Sequence, residues 1–270
     1  MVTWVYVRAA IIAFLCLGNF STLWAHGINQ VWWNSLDSQW KKFFTNLMGF
    51  STPTQADFNE IYEMQELDIS GTEINNLKPL SAMENLRTLF ADGTKINNLE
   101  PLRNLKNLRN LYLGGTPIQS LEPIKGLVNL KKLEIYETPI SDLSPLQDLT
   151  ALEYLNISNT NVTNISVLSH MINLEILYCN NTNIADLSPI KSLTKLTELS
   201  LIKTKVTDLS PLKGITSLRE LVLQYTPVTS LAPIQNHKSL MMVSCEYTKI
   251  SQEEIQRFKK AHPNCEVSSE

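Results

Sequence analysis

Charge of one sign, clustered histidine and paired cysteine are what this sequence has least of, and each shortage excludes a class of protein. Lys and Arg total 23 against 26 Asp and Glu, for a formal net charge of −3. A nucleic-acid reader usually carries a basic excess or stripe, so no nucleic-acid partner is expected, although Arg87, Arg109 and Lys131 fall in one column of the pattern described below. The four histidines, His26, His170, His237 and His262, do not converge in that pattern. They make neither a metal set nor a base for a nucleophile. Cys16 lies in the N-terminal apolar segment, while Cys179 and Cys245 occupy equivalent inward positions three periods apart. At strand spacing that is roughly 14 Å, beyond disulfide reach, so both read as small core hydrophobes. Cys265 approaches Cys245 only if the tail adds a final strand. Also missing are G-x-S-x-G, C-x-x-C, a phosphate loop and an acidic calcium loop. The expectation is a non-enzyme with no catalytic residue, no metal and no cofactor.

Long hydrophobic runs are confined to the N-terminus. Residues 1–25 read as a targeting segment: one positive charge by Arg8, an apolar stretch from Ala9 to Gly18, then polar residues and Ala25 at a cleavage point. The stretch is about half of the ~20 residues a spanning helix needs. A signal peptide cleaved before His26 is the favoured reading, with an uncleaved anchor as the alternative and the only membrane contact. Either way the rest of the chain is expected to be exported, to the periplasm, the envelope or the medium.

What the sequence does have is a repeat. L-x-L-x-x-T recurs every 22 residues, nine times without insertion, and its threonines stand at 72, 94, 116, 138, 160, 182, 204, 226 and 248. The full unit, L-x-x-L-x-L-x-x-T-x-I-x-x-L-x-P-L-x-x-L-x-x, is a leucine-rich repeat of one strand and one turn. In the third copy Leu111, Leu113, Ile118, Leu121, Ile124, Leu127 and Leu130 point inward. Leu111 and Leu113 alternate around Tyr112 with strand periodicity. The later spacing of three suits 3₁₀ turns. Pro79, Pro101, Pro123, Pro145, Pro189, Pro211 and Pro233 mark those turns, with Ser144, Ser188 and Ser210 read as caps before them. Val167 replaces the proline in the fifth repeat, where a looser turn is expected. Nine threonines at one period are structural, their stacked hydroxyls serving backbone groups in successive turns.

The fold class that follows is α/β: a leucine-rich repeat solenoid with a curved parallel β-sheet, a 3₁₀/turn convex side and helical caps at both ends. Its divisions are residues 1–25 (signal or anchor), 26–60 (helical N-terminal cap), 61–250 (nine repeats) and 251–270 (cap helix and edge strand). A lone repeat cannot bury enough surface to fold, so the open ends need covers. Upstream, a helix from about Leu36 to Met48 sets Trp40, Phe43, Phe44 and Leu47 on one side, preceded by Trp32 and Trp33. Phe58, Ile61 and Met64 continue the turn spacing. Downstream, Ser251 and Glu254 form a capping box that opens a helix to about Ala261 with Ile255 and Phe258 inward. Val267 then falls one period after Cys245 in an edge strand.

Segments such as Leu133–Leu146 (L-E-I-Y-E-T-P-I-S-D-L-S-P-L) and Leu199–Leu212 resemble bacterial internalin-type leucine-rich repeat proteins over roughly residues 54–250. The resemblance implies a curved solenoid that binds proteins on its concave face. Internalins mostly carry Asn where this chain carries Thr, and they commonly continue into an immunoglobulin-like module and a wall-anchoring tail. No such segment is read after Ile250, and host-cell invasion is not implied.

The outward strand columns are where residue choice departs from structural need. Phe90, Tyr112, Tyr136, Tyr154 and Tyr178 gather over five adjacent strands beside Ile176 and Ile202. Core packing does not explain residues that point away from the core, and tyrosine is enriched where proteins bind one another. These seven are the candidate partner-binding residues. Cross-strand packing of strand-favouring aromatics is the plainer alternative. Asn156-Ile-Ser and Asn180-Asn-Thr would place glycans in the groove, which disfavours a eukaryotic secreted protein. The leading function is a non-catalytic, protein-binding solenoid with a partner of unknown identity. An envelope scaffold, or a regulatory binding subunit of an enzyme, are the alternatives.

Overall fold

The computed structural model describes residues 27–269; the expected targeting segment and His26 lie outside them. Three helices open the chain: α1 (Gln30–Ser35), α2 (Ser38–Met48) and α3 (Gln55–Glu63). Asn29 and Asp37 cap the first two through side-chain oxygens that accept from backbone N–H groups. The helix expected from about Leu36 to Met48 is α2, which starts after Asp37, and Trp32 and Trp33 before it belong to a helix of their own. On α2 the buried stripe is Trp40, Phe44 and Met48, at intervals of four. Leu47 is 37% exposed, which corrects the expectation that it faces inward; the helical turn brings Met48 round in its place. A capping box between Thr54 and Asp57 starts α3, so Phe58 and Ile61 reach the core from an α-helix and not from a repeat-type turn. The indole N–H groups of Trp32 and Trp40 donate to the carbonyls of Pro79 and Asn76, at 3.1 and 2.9 Å, tying the helices to the first repeat.

Beyond the helices runs one open parallel sheet in chain order: β1 (Glu66–Asp68), β2 (Thr88–Phe90), β3 (Asn110–Tyr112), β4 (Lys132–Glu134), β5 (Tyr154–Asn156), β6 (Ile176–Tyr178), β7 (Glu198–Ser200), β8 (Glu220–Val222), β9 (Met242–Ser244) and β10 (Glu266–Ser268). Register follows the period, so Leu67, Leu89, Leu111 and Leu133 stand side by side. Each crossover from β1 to β9 is a 3₁₀ turn, as in Glu122–Ile124 and Ser188–Ile190. The inward residues from all nine repeats, together with Trp40, Phe44, Ile255 and Phe258, form one continuous hydrophobic cluster. His237, in place of a core leucine, is 1% exposed and its Nε2 lies 2.9 Å from the Leu212 carbonyl.

Three local expectations change. The serines before proline do not cap the turns with their side chains. Instead Asp142, Asp186 and Asp208, two residues earlier, accept the backbone N–H of Ser144, Ser188 and Ser210 at 2.7–2.8 Å. Those bonds, together with bonds from the serine hydroxyls that weigh most at Asp208, hold the three carboxyls below the usual carboxylate range. The turn that lacks proline, Ser166–His170, is a longer 3₁₀ segment than most and not a looser one. Proline is therefore permitted at this position, and the apolar residues on either side are enough to hold the turn. The threonines act within their own repeat: each hydroxyl donates to the carbonyl three residues back, as Thr116 does to Leu113 and Thr138 to Ile135, both at 2.6 Å.

The residue before each threonine holds a left-handed backbone. Gly71, Gly93 and Gly115 fill it in the first three repeats, and Glu137, Asn159, Asn181, Lys203, Tyr225 and Tyr247 in the rest, the latter with φ between 54° and 59°. An unforeseen asparagine ladder runs along the opposite end of the strands. Asn85, Asn107, Asn129 and Asn173 donate from Nδ2 to the carbonyls of Tyr62, Glu84, Lys106 and Thr150 in the preceding coil, at 2.8–3.1 Å. At the far end Ser251 caps α4 (Gln252–Ala261), and Ile255 and Phe258 are buried. The tail does add a strand, but Val267 pairs with Val243 and not with Cys245, which stands one period before it. The helix consumes a different length of chain from a 3₁₀ turn, and the phase slips by two. Cys179, Cys245 and Cys265 are all free thiols, and burial pushes that of Cys245 up to about 11.

Candidate functional site: the exposed face of the sheet

Three outward columns cover the sheet: the first and last residues of each strand, and the residue two further on. All seven sequence-derived candidates lie there, and each is half-buried. They do not form one continuous stack. Phe90 and Tyr112 are stacked, with ring centres 4.5 Å apart and planes 18° from parallel. Tyr154 and Tyr178 meet edge to face at 5.6 Å. Lys132 joins the two pairs, its ammonium 5.1 Å from the Tyr112 ring centre and 4.2 Å from that of Tyr154. It also lies 3.5 Å from the Glu134 carboxylate. The resulting row spans β2 to β6, held together by ring–ring and cation–ring attraction. Lys132 is the member that the aromatic pattern alone does not reveal.

Tyr136 stands apart, its ring lying over Gly114; a Cβ at Gly114 would be 2.2 Å from two ring atoms. Glycine is what lets the ring settle on the backbone. Ile176 sits on β6 in register with Tyr154 and Glu198. Ile202 is tied by its backbone N–H to Asn180 Oδ1 at 3.0 Å. That bond belongs to a series in the third column, where Asp92 likewise accepts from the Gly114 N–H at 2.7 Å and Ser158 from the Asn180 N–H at 3.2 Å. The polar residues of this column thus link neighbouring coils.

Tyr136, Tyr154 and Tyr178 are held as neutral phenols. Burial, reinforced by the hydrogen bond to Glu198 at 2.7 Å, pushes Tyr178 up to about 12. Burial raises Tyr154 further, with Glu134 adding to it, and raises Tyr136, where Asp92 and Glu134 contribute. Beside the aromatic row lies a depression of about 210 Å³ lined by Tyr178, Asn180, Glu198, Leu199, Ser200, Glu220 and Val222. Glu198 and Glu220 were not singled out in the sequence, although they occupy the same column as Tyr154 and Ile176. Among the described residues no group of three or more His, Cys, Asp or Glu is placed to hold a metal ion. No helix among them is long and apolar enough to cross a membrane.

A parallel sheet with 3₁₀ crossovers every 22 residues defines a leucine-rich repeat protein, and the family model for Leucine Rich repeats (2 copies) matches residues 84–126, 106–148, 128–170 and 172–214. The chain belongs more narrowly to the internalin-type leucine-rich repeat family: it is similar to internalin C2 of Listeria monocytogenes, with 31% identity over 77% of this chain and 92% of that one, at a TM-score of 0.72. A leucine-rich repeat protein of Leptospira interrogans shares the fold at 24% identity, over 74% of this chain and 59% of that one, with a TM-score of 0.64. So does the functional domain of InlJ from Listeria monocytogenes, at 16% identity, 78% and 54% coverage and a TM-score of 0.54. No curated protein matches the chain.

Proposed function

We propose that the protein is an exported, non-catalytic binding solenoid that recognises a protein partner through the exposed face of its sheet. Phe90, Tyr112, Tyr136, Tyr154, Ile176, Tyr178 and Ile202 make the contact surface. The observation that carries the reading is the aromatic row from β2 to β6. Leucine-rich repeat folds serve protein–protein interaction, and the core beneath this face is complete without these side chains. Large apolar rings held in place by neighbours lose little freedom on binding, which is what central anchors of an interface need. Export rests on the apolar N-terminal segment before the repeats.

The test is capture of a partner from envelope extract, followed by affinity measurement with variants. Tyr112→Ala combined with Tyr136→Ala is expected to weaken binding by more than ~2 kcal/mol. Circular dichroism and the melt should change little. Lys125→Ala with Lys213→Ala, on the turn side, should leave affinity intact. Normal binding by the tyrosine variant together with failure of the lysine variant would move the interface to the turn side.

A further inference from the structure

The exposed face is charged unlike the rest of the molecule. From Glu66 to Glu246 its three outward columns carry seven carboxylates and one cation, Lys132, while the whole chain is only −3. That one cation is already seated between the rings of Tyr112 and Tyr154 and the carboxylate of Glu134. Lys132 displays how a cation is held here: ring faces supply the quadrupole attraction and a carboxylate supplies the opposite charge.

On β6 to β8 the same elements recur with no cation among them. The depression beside Tyr178 has a phenol ring, two carboxylates (Glu198 and Glu220), the amide of Asn180 and the apolar floor of Val222. Glu198 and Glu220 are register partners on adjacent strands, so their backbones are about 4.8 Å apart. Among the described residues neither is ion-paired with a lysine or arginine, and like charges at that spacing repel. Tyr178 donates to one oxygen of Glu198, leaving the second oxygen and both of Glu220 as free acceptors.

We propose that this depression receives an arginine or lysine side chain of the partner, and that the exposed face docks a basic protein segment. The proposal rests on the reading that this face binds protein and adds the chemistry of what it binds. Arginine is the better fit, because a planar guanidinium can stack on Tyr178 while its fork spans two neighbouring carboxylates.

The test uses the full chain and a fluorescent peptide alternating glycine with arginine, with lysine and glutamate counterparts, read by anisotropy. The arginine peptide should bind best and the glutamate peptide not at all. Affinity should fall as salt is raised from ~0.05 to ~0.5 M. Glu198→Gln with Glu220→Gln keeps the acceptor for Tyr178 and should weaken the arginine peptide about tenfold or more. The same variant should raise the Tm by about 1–3 °C by removing repulsion. Glu122→Gln with Asp148→Asn, an equal loss of charge on the turn side, should change neither. Absence of peptide binding, an equal loss in both variants, or undiminished binding by the sheet-face variant would overturn the proposal. So would lost binding accompanied by a lower Tm, which would assign the loss to the fold. A captured partner that depends on Tyr112 and Tyr136 yet ignores Glu198 and Glu220 would leave the face as the interface and remove only the basic segment. A partner indifferent to all four would remove both.

Discussion

Asp92 is a carboxyl of the exposed face whose surroundings oppose its charge. Its carboxyl is held above the ordinary range, chiefly by burial; the Gly114 N–H pulls the other way, and Glu134 and Asp68 add to the rise. A folded-state pKa above the unfolded one means that the folded chain binds this proton more tightly. The contribution to stability is therefore greatest below the unfolded value and declines as pH rises through the folded one. Asp92→Asn keeps an oxygen to accept from Gly114 and removes the charge. It should be more stable than the parent at neutral pH, and the difference should shrink as pH falls below the carboxylate range. Urea unfolding at several pH values reads this directly, and a gap that widens in acid would refute it. Asp142, Asp186 and Asp208 behave in the opposite sense, since their hydrogen bonds favour the ionised form and are lost in acid. Local sequence hides the difference between the two kinds of aspartate, because it lies in whether neighbouring coils close over the carboxyl.

At the level of the element, the sequence was legible wherever one rule decided the outcome. The strands, their register through β9 and the 3₁₀ turns follow from the period and from the spacing of leucines. Ser251 with Glu254 is readable as the start of α4 because an apolar stripe follows it. The pairing of Thr54 with Asp57 has the same logic, but it precedes residues whose spacing of three also fits a turn, and two periodicities competed. The asparagine ladder carried a visible signal at 85, 107, 129 and 173, overshadowed by the stronger threonine column. Of the site, the outward columns were readable, whereas the grouping into two ring pairs bridged by Lys132 depends on side-chain rotamers. Gly114 is the sharpest case: only the ring of Tyr136 above it reveals why a side chain is absent. Gly114→Ala should displace that ring, at a cost of about 1–3 kcal/mol from overpacking. The Tyr136 hydroxyl should then titrate closer to its ordinary value, observable by NMR of the labelled tyrosines. An unmoved titration would show that the ring does not need the gap.

For the whole molecule, each coil touches only the coils on either side, so stability is built from identical steps plus two ends. The N-terminal helices contribute Trp40, Phe44 and Ile61, all fully buried, to the cluster that continues into Leu67 and Ile69. We infer that they serve as the cover of the first coil. Deleting residues 26–60 should expose Met64, Leu67 and Ile69 and cause aggregation or a broadened melt. Sedimentation and calorimetry check this; a monomeric, sharply melting truncation would assign the helices another role.

The helix before β10 has its own consequence. A lattice of equal steps carries no information about its own length, since every exposed end is a template for one more step. Val267 pairs with Val243 in the same side-by-side register as the strands before it, but the chain between them runs two residues beyond the period, because α4 takes the place of the next 3₁₀ turn. Short edges backed by a helix are poor templates for further strands. The helix works like a stop codon written in geometry: it lets the coil be counted, and it keeps one molecule from being read as the beginning of a fibre.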